Sequence, residues 1–178
     1  MIAFEKPVSR NILYRGRILN LRVDKVEFPN SKRTSREVIE HEAAVGIIPI
    51  TQDDHVILVK QYRYAVSEAL LEIPAGIVEK GEDPVKTASR ELREETGYDA
   101  EKLTEIGRFY TSPGFSNELL ILYLAESLFP SKLQEDEDEF IEVLHYPFSE
   151  LDQNFLKEKV RDGKTFAALS WLISVFNQ

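Results

Sequence analysis

The stretch Gly76–Tyr98, GIVEKGEDPVKTASRELREETGY, sets several glutamates and arginines into a turn followed by a short helix. Asp83 suits an N-cap and Pro84 the first helical position, where a missing N–H costs nothing. Gly97 offers a residue that accepts the left-handed conformation ending many helices. The predicted helix therefore spans 84–96. At about 100° per residue, Val85, Ala88 and Leu92 share one narrow stripe suited to docking on a sheet. Glu91 and Glu95, four apart, lie side by side at the edge of that stripe. Glu94 turns further toward solvent, within reach of Arg90. Carboxylates beside a buried face are costly unless a cation neutralises them, and hard oxygen donors favour Mg²⁺ or Mn²⁺. A solvated acidic face laced with salt bridges is the ordinary reading of an isolated Glu/Arg-rich helix. Here the wider spacing decides against it.

That spacing is Gly76, five residues, Glu82, seven residues, then Arg90-Glu91-Leu92-Arg93-Glu94-Glu95-Thr96-Gly97 and Tyr98. It resembles the signature box of the Nudix hydrolases at all seven fixed residues, far more specific than a lone glycine motif. Tyr98 departs from the pattern, which carries an aliphatic residue there; the change touches packing and leaves the chemistry alone. The resemblance implies an α/β fold, a mixed β-sheet sandwiched between α-helices, preceded by an N-terminal antiparallel β-sheet.

The remainder of the chain suits this. Its 178 residues make one sizeable domain, and 43% hydrophobic with 30% charged residues is a globular composition. No apolar run approaches the roughly 20 residues of a membrane span, and no signal-peptide core opens the chain. With no cysteine, disulfides and thiolate zinc sites are excluded, which fits a cytoplasmic protein. A net charge of −9 argues against nucleic acid as a partner. An acidic protein with an anionic substrate needs metal ions or local arginines to bring the two together.

Residues 1–40 read as short strands, Ile12–Tyr14, Ile18–Phe28 and Arg36–Glu40, with a turn at 29–31, and 41–178 as the main domain. In proteins similar to this one such a sheet swaps across a homodimer and covers the nucleotide. The resemblance thereby makes Arg36 and Glu37 substrate-contact candidates, against a plain packing role. Ala43–Ile50 and His55–Val59, separated by Thr51-Gln52-Asp53-Asp54, are expected to form a central hairpin. Arg63 reads by default as a surface salt-bridge partner. By resemblance, an arginine after this strand faces the substrate phosphates, and a planar guanidinium suits a diphosphate.

Leu70–Pro74 leads into Ala75-Gly76, and in similar enzymes the Ala75 carbonyl is offered to a metal. Glu72 is either substrate-side or a plain strand residue, and Glu82 a direct ligand or a support for one. After the box, Leu103–Thr111 reads as a strand ending in Ser112-Pro113-Gly114. Pro113 lies sixteen residues beyond Gly97, a mark of the ADP-ribose pyrophosphatase branch of the family. Ser112, Gly114 and Glu118 become candidates for the substrate cleft. Leu119–Leu124 is a further strand. Residues 135–139, five acids in a row, are normally a solvated segment. In similar enzymes a glutamate before the next strand activates water, which makes Glu139 the first choice and Glu137 the second. Helical periodicity covers Glu150–Asp162 and Thr165–Phe176, split at Gly163. Trp171 reads as packing. His41, His55 and His145 lie far from any motif, so a histidine nucleophile system is not expected.

The resemblance implies hydrolysis of the pyrophosphate of ADP-ribose to AMP and ribose 5-phosphate by a homodimer. Mg²⁺, or Mn²⁺ in its place, would be held by Ala75, Glu91 and Glu95 with Glu94 or Glu139. Arg90 would align the glutamates. Another nucleoside diphosphate sugar, such as GDP-mannose or ADP-glucose, is the alternative substrate. A non-hydrolysing nucleotide sensor stands third, because the box is intact.

Overall fold

The computed structural model describes residues 3–133 and 140–176. The chain divides into two compact units, the first made of residues 1–43 with 110–119 and the second of residues 44–109 with 120–178.

In the first unit, β1 (Lys6–Arg15), β2 (Leu19–Glu27) and β3 (Arg33–His41) form an antiparallel sheet in that order. The register sets Leu21 opposite Ile39 and Val23 opposite Glu37. β1 and β3 extend beyond the ranges expected from hydrophobic alternation, because ladder hydrogen bonding is indifferent to side-chain polarity, whereas β2 falls within its expected range. Ser31, with φ 63°, makes the β2–β3 turn. All ten residues of β1 are exposed. Residues 110–119 join this unit by backbone bonds to β3: Ile39 N–H donates to Phe115 O at 2.7 Å and Asn117 N–H to Ile39 O at 3.3 Å.

The second unit carries two sheets. One has the order β7 (Ala75–Ile77), β4 (Ala44–Pro49), β9 (Leu119–Pro130), β8 (Tyr98–Tyr110), with β4 parallel to β9 and antiparallel to β7. The other is antiparallel, β10 (Ile141–Pro147), β5 (His55–Arg63), β6 (Glu68–Glu72). The expected β4–β5 hairpin is therefore not formed. Just beyond the end of β4, Ile50 makes an isolated bridge to Val56 and Thr51 N–H donates to His55 O at 2.9 Å, and the two strands themselves part into different sheets. The reason is burial on both faces: β4 is buried throughout and β5 from Val56 to Val59, so each needs apolar layers on two sides.

Helix α1 (Pro84–Thr96) packs on β4 and β7. Asp83 accepts from Val85 N–H at 3.2 Å, Pro84 opens the first turn, and Gly97 closes the helix at φ 77°. Ala88 and Leu92 are fully buried. Behind the sheets, the core gathers Ile48, Leu58, Ile73 and Leu122 with Leu156 of α2 (Gln153–Lys159) and Leu169 and Leu172 of α3 (Gly163–Phe176). The helix expected over 150–162 is shorter, because Asp152 caps α2 by accepting from Phe155 N–H at 2.8 Å. Gly163 opens α3 rather than standing outside it. Trp171 packs against the core, whereas Phe166 is half exposed. No helix among the described residues is long and apolar enough to cross a membrane.

Leu92 is the apolar anchor of α1, so Leu92→Ala should cost about 2–5 kcal/mol in urea unfolding, against about 1 kcal/mol for Asp83→Ala.

Candidate active site

The main chain of residues 75–76 and the carboxylates of α1 meet at van der Waals distance. A Cβ placed on Gly76 would stand 1.9 Å from Cδ of Glu91, so only glycine lets that side chain lie against the strand. One turn on, Glu95 is buried, 6% exposed, and its Oε2 accepts from Ala75 N–H at 3.1 Å. Two carboxylates are thus carried to one short strand by their i, i+4 spacing.

Arg90 organises the outer side. Its Nη1 donates to Glu91 Oε1 at 2.7 Å and to Glu94 Oε2 at 2.9 Å, and its Nη2 to Glu82 Oε2 at 3.3 Å. Burial opposes the charge on this guanidinium, but bonds and proximity to Glu82 and Glu91 outweigh it and raise its pKa. The same contact, led by the hydrogen bond from Arg90, holds the Glu82 carboxyl below the usual range. Glu82, whose role the sequence leaves open, and Glu94 are both engaged with Arg90.

Arg63 turns its fork onto Glu72, with Nε to Oε1 and Nη2 to Oε2 each 2.7 Å. Glu72 is 1% exposed and also accepts from Lys164 Nζ. Burial works to raise its pKa, and the Arg63 guanidinium with the Lys164 ammonium overrides this and lowers it. Lys164 in turn pairs with Asp162 at 3.1 Å. Sequence reasoning missed Lys164, Asp162 and Thr165 in this network. The one available signal was Asp162 three residues before Thr165, a helix-capping spacing.

Arg36, Glu37, Ser112, Gly114 and Glu118 all belong to the first unit. Arg36 is bonded to Glu5, with Nε to Oε2 3.0 Å, and Glu37 is exposed on β3. Ser112 closes a turn, its carbonyl accepting from Phe115 N–H at 3.1 Å and Ser116 N–H at 2.8 Å. Gly114 is open to solvent, and the Glu118 carboxylate accepts from Thr111 Oγ1 and approaches His41 Nδ1 at 3.7 Å. Glu137 and Glu139 lie outside the described residues.

The profile of the NUDIX domain matches residues 40–169. The chain belongs to the Nudix family. It is 42% identical to the ADP-ribose pyrophosphatase of Bacillus subtilis (strain 168), over 94% of this chain and 92% of that one. It is 41% identical to the methanol dehydrogenase activator of Bacillus methanolicus, over the same shares. Its fold matches a crystal structure of an ADP compounds hydrolase at a TM-score of 0.84 and 25% identity, covering 97% of this chain and 94% of the other.

Nudix enzymes generally use a divalent metal, and the residues here fit one. The Glu91 and Glu95 carboxylates are hard oxygen donors, set against the main chain of residues 75–76 closely enough to exclude a side chain at position 76. Among the described residues no three His, Asp or Glu side chains gather into a closed cage.

Gly76→Ala should leave the circular dichroism spectrum intact while weakening Mn²⁺ binding by roughly 10–100-fold in a titration followed by electron paramagnetic resonance. Glu72 tests the second network. Its folded pKa is depressed, so its contribution is complete above the ordinary carboxylate range, about pH 4–5, and is lost as pH falls through the folded value. Glu72→Gln should therefore cost about 2–3 kcal/mol in urea unfolding at pH 7, discounting the half-exposed Arg63, with the gap narrowing by about pH 3.

Proposed function

We propose that the protein hydrolyses the pyrophosphate of ADP-ribose, yielding AMP and ribose 5-phosphate, with Mg²⁺ as the resident ion and Mn²⁺ able to replace it. The observation that carries this is the docking of an intact box on residues 75–76, with Glu91 against Gly76 and Glu95 bonded to Ala75. The 42% identity to an ADP-ribose pyrophosphatase across nearly the whole chain supports the substrate.

In the reaction water adds to one phosphorus of the diphosphate, the bridging P–O bond breaks, and the departing phosphate keeps the bridging oxygen. The bound divalent ion supplies charge neutralisation of the diphosphate and a more acidic water. Glu91 and Glu95, with the Ala75 carbonyl, hold it, and Glu94 or Glu139 completes the set. Glu139, or failing it Glu137, accepts the proton of the attacking water. Arg90 keeps Glu91 and Glu94 in place. Arg63 meets the substrate phosphates, its guanidinium already aligned by Glu72 and 42% exposed at the side chain. Ser112, Gly114 and Glu118 are the candidates for the substrate cleft, and Arg36 and Glu37 for substrate contact. The sheet of residues 1–40 serves dimerisation and covers the substrate, a reading supported by the exposure of β1 along its length. The cysteine-free chain works in the cytoplasm as a homodimer.

The test is phosphate release through a coupled phosphatase, with Mg²⁺, over ADP-ribose, ADP-glucose, GDP-mannose, UDP-glucose, NADH and nucleoside triphosphates. ADP-ribose should lead the panel, and Glu95→Gln should lose at least about 100-fold in kcat while remaining folded. A lead by GDP-mannose would move the substrate and keep the chemistry. Near-normal turnover by Glu95→Gln would remove the metal assignment, and tight ADP-ribose binding without turnover would make the protein a sensor.

A further inference from the structure

Residues 72–75 connect β6 to β7 and lie between two helices that hold them by side-chain bonds. From α1, Glu95 accepts from Ala75 N–H at 3.1 Å. From α3, Thr165 Oγ1 accepts from Ile73 N–H at 2.8 Å. Ile73 falls between the end of β6 at Glu72 and the start of β7 at Ala75, where no ladder serves its buried N–H. An unmet N–H there is costly, so the hydroxyl takes the place of a strand partner.

That hydroxyl is oriented. Thr165 is fully buried, and its single proton goes to Asp162 Oδ2 at 2.6 Å, which leaves its lone pairs for Ile73. Asp162 also accepts from Thr165 N–H at 2.9 Å and pairs with Lys164 at 3.1 Å. Lys164 reaches across to the buried carboxylate of Glu72. The first turn of α3 thus grips two successive residues, Glu72 through its side chain and Ile73 through its main chain.

The grip is passed on. Pro74 has a fixed φ and confines Ile73 before it to extended conformations, so the segment moves as a stiff unit. Its carbonyl is itself bonded by Ile47 N–H at 2.8 Å. Ala75, the residue that meets Glu95, comes next.

We propose that Thr165 and Lys164, in the first turn of α3, are positioning residues that set the 72–75 main chain and so the geometry with which Ala75 and Glu95 present oxygen to the divalent ion. The proposal rests on the metal-site reading above. Neither residue touches the reacting atoms. The oxygen donors come from α1 and the strand, and their precision comes from α3, about seventy residues further along the chain.

The experiment measures Mn²⁺ affinity of the full chain by electron paramagnetic resonance, with thermal unfolding in parallel, for Thr165→Val, Thr165→Ser, Lys164→Met and Glu95→Gln. Thr165→Val keeps the shape and loses the hydroxyl, and should weaken Mn²⁺ binding by about tenfold, the size of effect that supporting groups around a metal have. Thr165→Ser restores the hydroxyl and should return affinity to within about twofold of the unsubstituted protein, a rescue that packing alone would not produce. Lys164→Met should weaken binding in the same direction, and it carries the test if Thr165→Val does not fold. Folded Thr165→Val and Lys164→Met proteins with unchanged Mn²⁺ affinity would overturn the proposal, as would a Thr165→Ser protein as impaired as Thr165→Val. If Glu95→Gln binds Mn²⁺ as well as the unsubstituted protein, the metal site itself is misplaced and the proposal falls with it. If Glu95→Gln alone loses binding, the site stands and only the role of α3 is refuted.

Discussion

Glu91 and Glu95 rest against the main chain of residues 75–76, and this contact is the constraint on which the second unit turns. A carboxylate cannot be buried beside an apolar stripe without hydrogen bonds or counter-charge. The chain supplies both within one turn of helix, through the Ala75 N–H for Glu95 and the Arg90 guanidinium for Glu91. Glycine at position 76 is the steric condition for that approach. The cap at Asp83 and the stop at Gly97 bound the helix that delivers the two groups, and Ala88 and Leu92 anchor it.

A second set of charges works differently. Glu72 is as buried as any core leucine, yet it is matched by two cations from distant parts of the sequence, Arg63 and Lys164. A buried ion pair adds little net stability over an apolar substitute, because desolvation offsets attraction. Its value lies in direction: the bidentate fork of Arg63 permits one geometry, and Lys164 draws the start of α3 toward the end of β6. Charge in this unit therefore orients more than it stabilises.

The two networks meet at residues 72–75. Four consecutive residues are bonded by β5, α1, α3 and β4, through Arg63, Glu95, Thr165 and Ile47 respectively. So short a segment, tied from so many sides and stiffened by Pro74, has little freedom left. Such rigidity would serve the proposed oxygen-donor site, since a small divalent ion such as Mg²⁺ tolerates little departure from octahedral geometry.

The sequence by itself determined α1, its caps, its buried stripe and the pairing of Glu91 with Glu95, because helix periodicity and capping are local and readable within twenty residues. It also determined the family, through seven residues at set spacing. Tertiary structure alone decided that β4 and β5 part into separate sheets, since two adjacent apolar runs look alike whether they pair with each other or with strands elsewhere. It alone decided that residues 110–119 join the first unit, through backbone bonds to β3 that no side-chain pattern announces. The partners of Glu72 were equally hidden, because Lys164 stands ninety-two residues away and only packing of α3 brings it there. Local rules act over a turn of helix, whereas which distant charge neutralises a buried carboxylate depends on the whole arrangement of layers.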